Sequence, residues 1–171
     1  MGEGEGSQER ENRYADQPVP SRWRAAATWW CGIGMGVSLL LSLLSFIPFM
    51  PPLPKALVIV CFVGVFPAMG SALLGARHRG VPLHGGAFIR GLPPWIGLVA
   101  AFAFVSFFTA QAGLPGPPEI HHGQYYFDNH GSLIPTTLAG YQRGLRGQQR
   151  VFTSIPAVFY AVAFSLHRQR R

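Results

Sequence analysis

The apolar positions of this chain fall in four unbroken blocks, not in amphipathic stripes or alternating pairs. Residues 25–50, 56–76, 91–112 and 151–166 contain no Asp, Glu, Lys or Arg. A soluble helix of such length shows a polar stripe on the face it turns to water. None of the blocks has one; their polar residues are Ser, Thr and one Gln. A bilayer core of about 30 Å asks for roughly 20 apolar residues per helix. The first three blocks meet that length. The fourth has 16 residues. It spans only if Arg150 and His167 reach the two interfaces, or if the helix continues upstream as a polar extension. The pattern therefore predicts an all-α integral membrane protein with four transmembrane helices.

The connections add detail. Pro93 and Pro94 sit in the first turn of the third block, where a missing N–H costs little. Pro67 and Pro156 lie inside blocks and should kink them. Pro51 to Pro54 (PPLP) is too short and stiff for anything but a tight antiparallel hairpin between the first two spans. Small residues recur at helical spacing. Gly32 and Gly36 form a GxxxG pair, and Ser38 and Ser42 repeat the same spacing; Ala68, Ala72 and Ala76 mark the second span, with Ser71 and Gly75 beside them, and Ala157 and Ala161 the fourth. Such spacing lets helix backbones approach where lipid supplies no hydrophobic drive, either within one chain or across a dimer face.

Residues 113–150 form a long polar connection. It opens with an extended stretch set by Pro115, Pro117 and Pro118. Tyr125, Tyr126 and Phe127 favour a strand, Asn129-His130-Gly131 is a turn signal, and Leu133-Ile134 can return before Pro135. The expectation is a short β-hairpin in the loop between helices 3 and 4, docking its Tyr and Phe side chains on the helices because an isolated hairpin is marginal in water. Thr136 or Thr137 can then cap a helix. On that helix Leu138, Tyr141 and Leu145 share one face, and Arg143, Arg146 and Arg150 another. A basic amphipathic helix leading into a span suits lipid phosphates or another anionic partner, as well as simple anchoring.

Candidate chemistry concentrates in the same loop. His121, His122, Asp128 and His130 offer imidazoles and a carboxylate, a workable zinc or copper ligand set. Their spacing matches no metal motif. The competing reading gives Asp128 and Asn129 to the turn and leaves the histidines solvated. Ser132 and His130 lie close together, but no nucleophile elbow or oxyanion loop accompanies them. The sequence points away from an enzyme and names no cofactor. Cys31 and Cys61 should lie at different depths, too far apart for a disulfide, as buried free thiols.

Charge then sets orientation. Only 12% of the residues are charged, about half the roughly 25% of an average globular chain. With the N-terminus cytoplasmic, Arg22, Arg24, Arg77, Arg79, Arg90, Arg168, Arg170 and Arg171 flank the spans inside, against Lys55, Arg143, Arg146 and Arg150 outside. That excess favours cytoplasmic N- and C-termini. Residues 1–21 read as a disordered cytoplasmic tail, not a cleaved signal peptide, and residues 22–171 as the membrane domain. The net charge of +7 sits beside spans, so it argues for topology and against nucleic acid. A strong preference for Arg over Lys, with abundant Gly and Pro, suits a GC-rich bacterial inner-membrane protein.

Ion-coupled carriers, pumps and voltage sensors place ionisable groups inside their spans. These blocks hold none. The sequence thus predicts a small polytopic protein of accessory or structural type, contacting lipid or a partner protein through residues 113–150, with another membrane protein or self-association as further candidate partners. The alternatives are a membrane-bound metal protein or enzyme using the His/Asp cluster, and a non-catalytic transporter subunit.

Overall fold

The computed structural model describes residues 21–48, 51–81, 92–112 and 114–168. The tail expected over residues 1–21 lies, apart from Ser21, outside them, as does Arg90. Five helices and a sheet follow in order: α1 (Ser21–Leu44), α2 (Lys55–Val63), α3 (Val65–His78), α4 (Trp95–Gln111), β1 (Pro118–His121), β2 (Gln124–Asn129), β3 (Ser132–Pro135) and α5 (Leu138–Arg168). Among the described residues three stretches are long and apolar enough to cross a membrane: Arg22–Leu44, Lys55–His78 and Leu138–Arg168. The third apolar block yields a shorter helix of 17 residues, α4. The fourth block does not stand alone. Its helix runs upstream as the polar extension, giving α5 31 residues.

Helix α5 is the axis of the fold, packing against α1, α3, α4 and the sheet. Contacts along it give the directions. Gly32 faces Phe164, Gly34 faces Tyr160, and Ser45 meets Arg150, so α1 is antiparallel to α5. Leu53 meets Gln149, Cys61 meets Tyr160 and Ser71 meets His167, so α2 and α3 run parallel to it. Trp95 lies by Phe164 and Gly147 by Ala110, so α4 is antiparallel again. The result is an up-down-up-down bundle.

The interior is built from small residues. Ala72, Ala76, Ala157, Ala161 and Ala163 are fully buried, as are Ser38, Ser42, Ser106, Thr153 and Ser154. Large apolar side chains point outward, with Trp29 at 72% and Leu98 at 74% exposure. Water would penalise that arrangement. Thr153 satisfies its hydroxyl by donating to the Gln149 carbonyl at 2.7 Å, as hydroxyls in apolar helices commonly do.

Pro67 acts as expected, slightly upstream of itself. It has no N–H for the Val63 carbonyl and its ring crowds that carbonyl, and the helix is perturbed between α2 and α3 at the single residue Gly64, which keeps helical φ and ψ. Tyr160 packs at this point. Its hydroxyl donates to the Cys61 carbonyl at 3.2 Å. Pro156 is buried and α5 continues through it without a break.

The small-residue stripe differs in detail from the GxxxG reading. Ala68 and Ala72 lie in the buried cluster with Cys31, Tyr160, Ala163 and Leu166. Gly32 is in ordinary contact with Phe164, but a Cβ at Gly36 would meet nothing within 4 Å. The glycine pressed between helices is Gly34, where a Cβ would stand 2.6 Å from the Tyr160 ring. Cys31 and Cys61 are buried and free.

Two arginines close helix ends. Arg79 donates to the Leu166 carbonyl at 2.6 Å, in the last turn of α5. Arg150 donates to the Ser45 carbonyl, just past α1, at 3.4 Å and stacks 4.2 Å over Phe46. Each supplies a donor and a positive charge where helix carbonyls lack partners and the dipole is negative.

Candidate functional site

The long connection is a three-stranded antiparallel sheet in the order β1-β2-β3, where the sequence suggested a two-stranded hairpin. The missed strand is Pro118–His121, hidden because it opens with prolines and a carboxylate. Both connections are two-residue turns on a His-Gly pair. His121 pairs with Gln124 around His122-Gly123, and Asn129 pairs with Ser132 around His130-Gly131. All four turn residues have positive φ: His122 50°, Gly123 77°, His130 53° and Gly131 89°. This is the type I′ pattern, whose twist matches that of the strands. Asp128 adds its own support, Oδ1 accepting from the Gly131 N–H at 2.6 Å.

His122 and His130 are thereby explained as turn residues, His121 ends β1, and the metal set does not assemble. His122 and His130 occupy opposite ends of β2, a strand of six residues, which at about 3.3 Å per residue is near 20 Å long. Asp128 is held in its turn. Nε2 of His121 lies 2.8 Å from Oε2 of Glu119. Among the described residues no group of three or more His, Cys, Asp or Glu is placed to hold a metal ion.

Alternation sends one sheet face to the helices and the other away. Phe127 is buried and rests on α5 at Gly144, where a Cβ would stand 2.7 Å from its ring and 3.1 Å from Pro118. Tyr125 packs against Tyr141 with ring centroids 5.1 Å apart. Gly144 and Gly147, which lower helix propensity, are the sites of close approach, the second against the Ala110 carbonyl. The opposite face carries Glu119, His121, Gln124 and Tyr126. Thr137 caps α5, its hydroxyl accepting from the Gly140 N–H at 3.1 Å.

The three arginines of the extension separate. Arg150 turns inward to α1. Arg146 is half-buried beside Leu44, Ser45 and Leu53. Arg143 stays exposed.

Beside them is a feature that sequence reasoning missed. A groove of about 380 Å³ runs between α2 and α5, lined by Pro52, Leu53, Lys55, Val58, Ile59, Phe62, Leu145, Gln148, Gln149 and Phe152. Phe62 and Phe152 meet edge to face at 6.4 Å on its wall. Gln149 donates to the Leu53 carbonyl at 3.1 Å, fixing the PPLP turn against α5. The groove is apolar at depth and polar at its rim. Its two sides lie about 90 residues apart in sequence, so no local pattern announces it. The one local signal is Lys55, the chain's single lysine, placed between two apolar blocks.

Comparison with known protein families, with curated proteins and with solved structures finds no match.

Proposed function

We propose that the chain is a small four-span membrane protein of accessory or structural type, both termini cytoplasmic, presenting its sheet and the polar extension of α5 at the outer surface to lipid or a partner protein. The observation that carries this reading is the inverted packing: Ala and Ser inside, Trp, Leu and Phe outside. Membrane helices associate through close contacts of small residues, with large apolar side chains left to lipid. Helix α4 serves as the remaining span. At 17 residues it is about 25 Å long, a mismatch that slight thinning of the bilayer absorbs. Orientation rests on the excess of arginine on the side of Arg22, Arg24, Arg77 and Arg79. The outer rim is basic without compensation, because the described carboxylates, Glu119 and Asp128, both belong to the sheet.

The test is topological. With Cys31 and Cys61 replaced by Ala, Ser132→Cys should react with an impermeant maleimide on intact cells, and the chain should stay in alkali-washed membranes. Extraction by alkali, or labelling only after lysis, would overturn the reading.

A further inference from the structure

We propose that the groove between α2 and α5 is a site for one acyl chain of an anionic phospholipid, its phosphate held by Lys55 at the rim. The inference rests on the membrane reading above and names a ligand for one face of it.

The wall is apolar and open on its outer side. Val58, Ile59, Phe62, Leu145 and Phe152 supply it, and Ile59, Phe62 and Phe152 keep 59%, 40% and 48% of their surface exposed. Such side chains are left for an apolar occupant to cover. One end of the groove is fixed where Gln149 of α5 donates to the Leu53 carbonyl of the PPLP turn.

The rim selects charge. Lys55 lies on the groove and has no carboxylate within ion-pair distance among the described residues, where the ion pair is that of His121 with Glu119. Lys55 is also the first residue of α2, where the helix dipole adds to its preference for an anion. Gln148 lines the same rim with no hydrogen-bond partner among the described residues, leaving amide donors for phosphate or ester oxygens. Arg146 stands one turn of α5 away with no ion-pair partner among the described residues. An uncompensated cation above an apolar slot complements a molecule with an anionic head and a hydrocarbon tail. A protein partner would need an acidic group and an extended apolar side-chain row in the same register, a narrower fit to the same surface.

Native mass spectrometry of the full chain released from mixed micelles of dioleoyl phosphatidylglycerol and dioleoyl phosphatidylcholine reads the preference directly. The wild type should retain phosphatidylglycerol over phosphatidylcholine by roughly fivefold, as one cation near a membrane surface supplies. Lys55→Gln should abolish the preference while leaving some retention of both lipids. Ile59→Trp, at an exposed position that the fold tolerates, should fill the slot and lower retention of both. Equal retention of phosphatidylglycerol by wild type and Lys55→Gln would overturn the proposal. So would a photoreactive benzoylphenylalanine at Ile59 that captures a polypeptide in cells instead of a lipid mass. Extraction of the chain by alkali would overturn the membrane reading itself, whereas firm membrane residence without lipid preference removes the groove assignment alone.

Discussion

The Tyr160 hydroxyl donates to the carbonyl oxygen of Cys61, 99 positions earlier in the chain. It does so where Pro67 perturbs the second apolar segment, so one side chain braces the helix that another residue disturbs. A Cβ at Gly34 of α1 would collide with the Tyr160 ring, and one at Gly64 with its hydroxyl.

Two substitutions separate the hydroxyl from the ring. Tyr160→Phe keeps the packing and loses one hydrogen bond, a cost of about 0.5–1.5 kcal/mol. Gly34→Ala forces a Cβ into the ring and should cost about 1–3 kcal/mol. Gly36→Ala meets nothing and should be neutral or mildly stabilising, since Ala is the better helix former. Thermal unfolding in detergent, followed by circular dichroism, gives the order; equal loss for Gly34→Ala and Gly36→Ala would restore the GxxxG reading.

The helix-closing arginines should behave unlike the exposed one. Arg150→Ala removes a donor to Ser45 and the stacking on Phe46, and should cost about 1–2 kcal/mol. Arg143→Ala, at an exposed position, should stay within about 0.5 kcal/mol of the wild type. Chemical denaturation in mixed micelles distinguishes them.

Gly144→Ala should loosen the sheet without melting the bundle. A Cβ there meets Phe127 and Pro118, so hydrogen exchange over residues 118–135 should accelerate while α1 and α3 keep their protection. Unchanged exchange in the sheet would mean that Phe127 docks elsewhere.

The turn histidines should tolerate substitution by what turns favour and resist what they do not. His122→Asn and His130→Asn keep access to positive φ and should be nearly neutral. His122→Val and His130→Val place a β-branched residue in the left-handed region and should cost about 1–2 kcal/mol each. Added zinc should leave the melting temperature unchanged, measured against an EDTA-treated sample; a rise that His122→Asn removes would revive the metal site.

Much of the architecture was legible in the chain because long apolar blocks carry a physical requirement of their own. The helical segments, the PPLP turn and the Thr137 cap follow from local chemistry. The hairpin signal was local too, but β1 escaped because Pro118 and Glu119 do not look like strand residues; they form one only by pairing with Phe127 and Tyr126. Gly34 was legible in principle, since Ser38 and Ser42 follow it at four-residue spacing and are buried; what local pattern could not supply is the ring on α5 that presses against it. Tertiary dependence also hid the groove, whose two walls lie about 90 residues apart in the sequence. For the histidine cluster the sequence left a metal set and a turn reading side by side, because spacing alone does not say whether neighbours converge; β2 lies between His122 and His130, and Asp128 serves its turn.

The placement of α5 at the centre has a consequence for biosynthesis. Chains emerge and begin to fold from the N-terminus, so the helix that all the others pack against arrives last. Until then α1 and α4 have little to hold them together beyond the ring contact of Phe46 with Phe102. A nascent chain ending before Leu138 therefore holds apolar segments without the surface they close upon. Closure of the bundle is a late event, and loss of the 31-residue helix α5 as a whole would present to the cell's quality control apolar segments without the surface they share.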